Sequence, residues 1–397
     1  MTDGLSARTM RILNGLPMAA RDLLLKTDWG SLRHAYGPAE DMPASLCALM
    51  DEDPEVRAEA VGALDMAALH QGSLYTVTAP AALYVAAILD HPMGLAEHEG
   101  YFPWDDGPSR SLRIDLLAWL GQMAESAAYG ENPVRDRTHW QWEPWHEETP
   151  RDHDPEELRA LQACRDIRPA IADAVEPFLS SPDPRVREAA LGAAAPLLSA
   201  PGLTDRVLRA AALLRSRLGA GEARRERASV ARALTMWGMD TSDLLADPEP
   251  AVRVCAALGP THADRPRALA VLLQALWDPR TTDALFPEPL PGLDGWFRFT
   301  VLRSALALAE SFEEVAPVAI TIVTTGGTSM VDFERGPILY RAFSAGYDPT
   351  RPLTSAQRDL LQAFVDTEES TSGIGGNWLW FRAAGLPEDR EGIAALL

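Results

Sequence analysis

Three segments of the chain align without gaps over twelve positions, and this repetition restricts the fold more than any other feature. They read DPEVRAEAVGAL from Asp53, DPRVREAALGAA from Asp183 and EPAVRVCAALGP from Glu249. Their prolines stand 130 and 66 residues apart. Both separations are close to multiples of about 33, which fits a repeat unit of that length with degenerate further copies. The acidic residue caps a helix N-terminus, and a proline at the first helical position lacks only an amide hydrogen that would be orphaned anyway. Val56, Ala60 and Leu64 then form one helical stripe, as do Val186, Ala190 and Ala194. Alanines on the stripe let neighbouring helices approach closely. A further apolar helix is predicted before each motif, over 42–50, 171–179 and 242–246.

A helix, a tight Asp-Pro turn and a second helix resemble HEAT repeats, where a D-P-x-V-R segment opens the second helix of each pair. Two other stretches resemble a HEAT-repeat domain group common in actinobacteria: His70-Gln71-Gly72-Ser73-Leu74-Tyr75 with Thr78-Ala79-Pro80, and Trp380-Phe381-Arg382-Ala383-Ala384-Gly385-Leu386-Pro387. The resemblance implies an all-α, right-handed α-solenoid of helix pairs. It also implies that Asp53 with Arg57, and Asp183 with Arg187, stack in ladders between successive units. Glu249 departs from that pattern in the third copy.

Strand signals are scarce. Residues 318–325 (VAITIVTT) are rich in β-branched side chains and fit either a strand or a buried helix. Proline and glycine clusters mark irregular segments at 94–109, 130–155, 286–295 and 368–377. The organisation expected is HEAT-like repeats over 1–93, an acidic insertion over 94–157 with one helix at about 110–129, and further repeats with a capping C-terminus over 158–397.

Composition narrows the function classes. The three cysteines, Cys47, Cys164 and Cys255, are odd in number and far apart, so neither a disulfide framework nor a thiolate zinc site is indicated. A reducing cytoplasm is the simplest expectation, with no secretory signal near Met1 and no apolar run long enough to span a bilayer. Lys26 is the sole lysine; every other fixed cation is arginine. The formal charge of −21 disfavours a nucleic-acid partner on average. That charge is uneven. Residues 97–157 carry fifteen acidic residues and five arginines, whereas 206–232 carry eight arginines and two glutamates.

The region from His91 to Glu157 also concentrates His91, His98, His139, His146 and His153 with Trp104, Trp119, Trp140, Trp142 and Trp145. Aromatic and ionisable loop residues on a rigid scaffold suit recognition, since Tyr and Trp bury a large area with few rotatable bonds. Tyr101, Phe102, Trp104, Asp105 and Asp106 form one candidate partner-binding cluster, and Trp140, Trp142 and Trp145 form another. The alternative is that these rings fold back over the core. Trp119 lies in a helical run over 112–123 and is expected in the core.

A metal reading rests on the pairs His98-Glu99 and His146-Glu147, because imidazole and carboxylate suit divalent cations. No HExxH motif accompanies them, and no cofactor is implied. An alkylpurine-glycosylase-like reading would use Trp104 with Asp105 or Asp106, and phosphate contacts from Arg206, Arg209, Arg217, Arg224, Arg225 and Arg227. An acidic stripe over 143–157 would suit an inhibitory mimic of nucleic acid. The reading favoured is a non-catalytic scaffold that binds a protein or peptide of basic character, since solenoids present long recognition surfaces.

Overall fold

The computed structural model describes residues 7–100, 109–139, 143, 154–218, 223–259, 261–293, 296–325, 331–367 and 377–397. The protein is mostly helical, as expected of an all-α chain. Its strands, among the described residues, are two antiparallel pairs: β1 (Arg33–His34) with β2 (Gly37–Pro38), and β3 (Glu97–His98) with β4 (Arg110–Ser111). The described residues fall into two compact units, one drawn from Met1–Glu131 with Asp152–Ala220, the other from Asn132–Arg151 with Gly221–Leu397. No helix among the described residues is long and apolar enough to cross a membrane.

The first unit contains α1 (Ala7–Gly15), α2 (Met18–Lys26), α3 (Met42–Ala48), α4 (Pro54–Ala68), α5 (Thr78–Ile88), α6 (Leu112–Ala128), α7 (Pro155–Val175), α8 (Pro184–Leu198) and α9 (Thr204–Arg215). Helix α6 lies inside the acidic stretch of sequence, yet it packs against α4, α5, α7 and α8. Ten of its residues are buried, Trp119 among them. The alanine-rich stripe of α8 makes this packing close. A Cβ placed on Gly121 of α6 would stand 3.1 Å from the Ala193 Cα of α8.

The second unit contains α10 (Arg224–Met236), α11 (Pro250–Ala257), α12 (Arg265–Leu276), α13 (Phe297–Leu308), α14 (Ala316–Thr325), α15 (Val331–Ala342), α16 (Ser355–Asp366), α17 (Asn377–Ala383) and α18 (Arg390–Ala394). Contacts here run between sequence neighbours, as for α10 with α11, α11 with α12 and α12 with α13, and also between alternate helices. Helices α12, α14, α16 and α18 touch in succession, and α13, α15 and α17 do the same. The VAITIVTT run lies in α14, so the helical alternative holds. Its threonines are compatible with a helix because Thr321, Thr324 and Thr325 donate their hydroxyls to the carbonyls of Pro317, Ile320 and Thr321.

The three aligned motifs share one bonding pattern. Asp53 and Asp183 accept from the amides of Glu55 and Arg185, capping α4 and α8, whereas Glu249 makes no such bond at α11. Two residues before each cap, a side chain accepts from the cap's own amide: Asp51 from Asp53 (2.9 Å), Ser181 from Asp183 (3.3 Å) and Asp247 from Glu249 (2.9 Å). The motif arginine then turns back onto two carbonyls of the preceding turn. Arg57 donates to Asp51 and Glu52 at 2.8 and 2.9 Å. Arg187 donates to Ser181 and Pro182 at 3.0 and 3.2 Å. Arg253 donates to Asp247 and Pro248 at 2.6 and 2.9 Å. These bonds close each copy onto its own entry turn, where the HEAT resemblance expects Asp–Arg ladders from copy to copy.

Arginine has a second structural use. The last carbonyls of a helix lack intrahelical donors, and guanidinium groups from neighbouring helices supply them. Arg113 donates to Leu89 beyond α5 (2.8 Å). Arg165 bridges Ala127 and Tyr129 at the end of α6, both at 2.8 Å. Arg341 bridges Leu306 and Ala309 at the end of α13, at 3.1 and 2.8 Å. A planar fork with several donors does this where a single ammonium could not.

Candidate functional site

The partner-binding candidates Tyr101, Phe102, Trp104, Asp105, Asp106, Trp140, Trp142 and Trp145 lie outside the described residues, as do His146 and Glu147. His98 and Glu99 are described. His98 is buried in β3, and its Nδ1 lies 2.8 Å from the Glu99 carbonyl, a bond that only a protonated Nδ1 can donate. Its Nε2 stands 3.0 Å from Asp115 Oδ2, outside hydrogen-bond alignment, and Asp115 Oδ1 accepts from Arg110. The Glu99 side chain is exposed. Among the described residues no three His, Cys, Asp or Glu side chains stand together as a metal site.

Much of the basic stretch is engaged with the protein's own carboxylates and carbonyls. Arg206 pairs with Glu176 and Asp173, and Arg217 donates to the Leu179 carbonyl. On α10, Arg225 donates to the carbonyls of Glu288 (2.6 Å) and Pro289 (2.8 Å), and Arg232 to those of Pro291 (3.2 Å) and Gly292 (2.6 Å). Arg224 reaches Leu285 at 3.2 Å. Together they hold an extended loop, Phe286-Pro287-Glu288-Pro289-Leu290-Pro291-Gly292-Leu293, against the helix. The arrangement follows from composition. Pro287, Pro289 and Pro291 have no N–H and cannot join a ladder, so the loop offers acceptors, and guanidinium forks match acceptors. Gly292 allows the turn at its end, with φ of +72°.

Held in this way, the loop walls a cavity of about 260 Å³ lined by Asp283, Phe286, Pro287, Pro289, Leu290, Leu293, Trp296 and Phe297. Phe286 and Phe297 meet edge to face at 4.9 Å between ring centroids. Trp296 is 44% exposed, unusual for so large an apolar side chain in a fixed position. What fixes it is Arg298, whose guanidinium carbon lies 3.8 Å from the indole centroid. Arg298 is itself held by two carboxylates: Asp283, which also accepts from the Arg298 amide at 3.0 Å, and buried Glu334 at 2.6 Å. The site is therefore apolar walls, a preorganised aromatic rim and one carboxylate. In sequence its only mark was the proline cluster over 286–295, which signals an irregular segment without saying what it encloses.

The cysteines take no part in it. Cys47, Cys164 and Cys255 are buried, and burial pushes their thiols up to about 11, 12 and 12. A raised thiol pKa depletes the reactive thiolate at neutral pH. At pH 8 the folded protein is expected to show no fast-reacting thiol toward Ellman's reagent, with all three reacting on denaturation; a rapid native-state equivalent would contradict the burial.

No family model, curated protein or protein of solved structure matches the chain.

Proposed function

We propose that the chain is a non-catalytic binding module, a HEAT-like α-solenoid that takes a protein or peptide segment of basic character, with the Phe286–Phe297 cavity receiving one of the partner's side chains. The observation that carries this reading is the preorganised Trp296 rim over an open cavity of about 260 Å³, at the small end of ligand pockets and roomy enough for a large side chain. Exposed aromatics held rigid before binding lose little conformational entropy on association and act as interface anchors. The common bonding pattern of the three motif copies and the alternate-helix contacts of the second unit support the solenoid reading. The net charge of −21 supports a basic partner.

Trp296→Ala is expected to weaken capture of basic peptides by about tenfold or more, measured by titrating immobilised peptide panels with wild-type and variant protein of matched circular dichroism. Equal titration curves for the two proteins would remove the cavity from the binding surface.

A further inference from the structure

Resting on the reading of the cavity as a side-chain socket, we infer that the group it takes is a cationic, lysine-type alkylammonium. Of the eight lining side chains, seven are apolar and one is charged, Asp283. Three of the apolar ones, Phe286, Trp296 and Phe297, are aromatic. Aromatic walls with a carboxylate suit an aliphatic stem that ends in a positive charge: the stem packs on rings and prolines, and the ammonium meets ring faces and a carboxylate oxygen.

The cavity lining itself carries one charge, and its sign is right. Asp283 and Glu334 share one guanidinium, Arg298, so the group of three carries one net negative charge. Asp283 is not saturated by Arg298, since an ionised carboxylate offers about four acceptor positions. Arg224, Arg225 and Arg232 bind loop carbonyls, and none of them lines the cavity. An anionic side chain would find no positive lining group. A neutral apolar one would leave the acceptor positions of Asp283 that Arg298 does not fill desolvated, which disfavours it.

The test uses three nine-residue Gly/Ser peptides identical except at the centre: lysine, norleucine or glutamate. Binding is followed through the Trp296 indole N–H resonance, identified by its loss in Trp296→Phe. The lysine peptide is expected to shift that resonance and to bind about tenfold or more tightly than norleucine, with the margin shrinking as salt rises toward 1 M. The glutamate peptide should leave the resonance unmoved. Asp283→Asn, which keeps an acceptor for Arg298, should weaken the lysine peptide and leave norleucine unchanged. Norleucine binding as tightly as lysine in wild-type protein would overturn the cation inference while the socket stands. If no peptide moves the resonance at millimolar concentration, the socket reading itself fails.

Discussion

Replacing Gly336 with valine is expected to unpack α15 from α17 and to cost about 3 kcal/mol of stability. Gly336 lies on α15 directly under the Trp380 indole of α17. A Cβ built there would come within 3 Å of Cε2, Nε1 and Cδ1 of that ring, closer than real side chains approach. The ring cannot move aside easily. Trp380 is only 2% exposed, with Tyr340 edge-on at 6.3 Å and the Arg303 guanidinium over it at 5.5 Å. The obstacle is a rigid bicycle and not the far end of a flexible chain, so even Gly336→Ala should be clearly destabilising. Urea unfolding followed by circular dichroism gives the comparison. Gly15→Ala is the control: nothing lies within 4 Å of the added methyl, and a change within about 1 kcal/mol is expected. A smaller ring should relieve the collision, so Gly336→Ala combined with Trp380→Phe is expected to be less damaged than the two single effects added together. Strict additivity would mean that the two positions do not press on each other.

The second large effect is expected at Arg57. The residue is 3% exposed, and its guanidinium donates to three carbonyls, those of Asp51, Glu52 and Glu97, the last at 2.7 Å. Burial lowers its pKa from the ordinary arginine value, against the opposing pull of Asp51 and Asp53. Arg57→Met would leave buried acceptors without donors, at about 1–3 kcal/mol for each acceptor stranded. Arg57→Lys should rescue little, because one ammonium on a flexible stem cannot serve the entry turn and β3 together. The equivalent changes at Arg187 and Arg253 should cost less, since both residues are half-buried. A ranking in which Arg187→Met equals or exceeds Arg57→Met would show that the clasp's worth is not set by burial.

Much of the helical framework was legible in the residues themselves. An acidic residue, a proline and a Val/Ala/Leu stripe act within one helix, so Asp53 and Asp183 could be read as caps, and Val186, Ala190 and Ala194 as a buried face, before any tertiary contact was known. The 318–325 run could not be decided in that way. Its β-branched composition fits a strand, and helical hydroxyl bonds to Pro317, Ile320 and Thr321 do not show in one-dimensional pattern. The motif arginines were legible as part of a repeat but not in their role, since the carbonyls they bind belong to the turn before and carry no side-chain signature. The cavity was the least visible. Asp283, Phe286, Leu293 and Trp296 meet only because α10, some sixty residues earlier, draws a proline loop inward.

The joints made by arginine and main-chain oxygen have a bearing on alkali tolerance. A peptide oxygen does not titrate, and a guanidinium keeps its proton to about pH 12 or beyond. The fold is fastened by Arg57, Arg113, Arg165, Arg187, Arg253 and Arg341 at joints that contain no lysine ammonium. Lys26, the single lysine of the chain, pairs with Asp22 and holds none of these joints, so they contain no ammonium group to discharge in alkali.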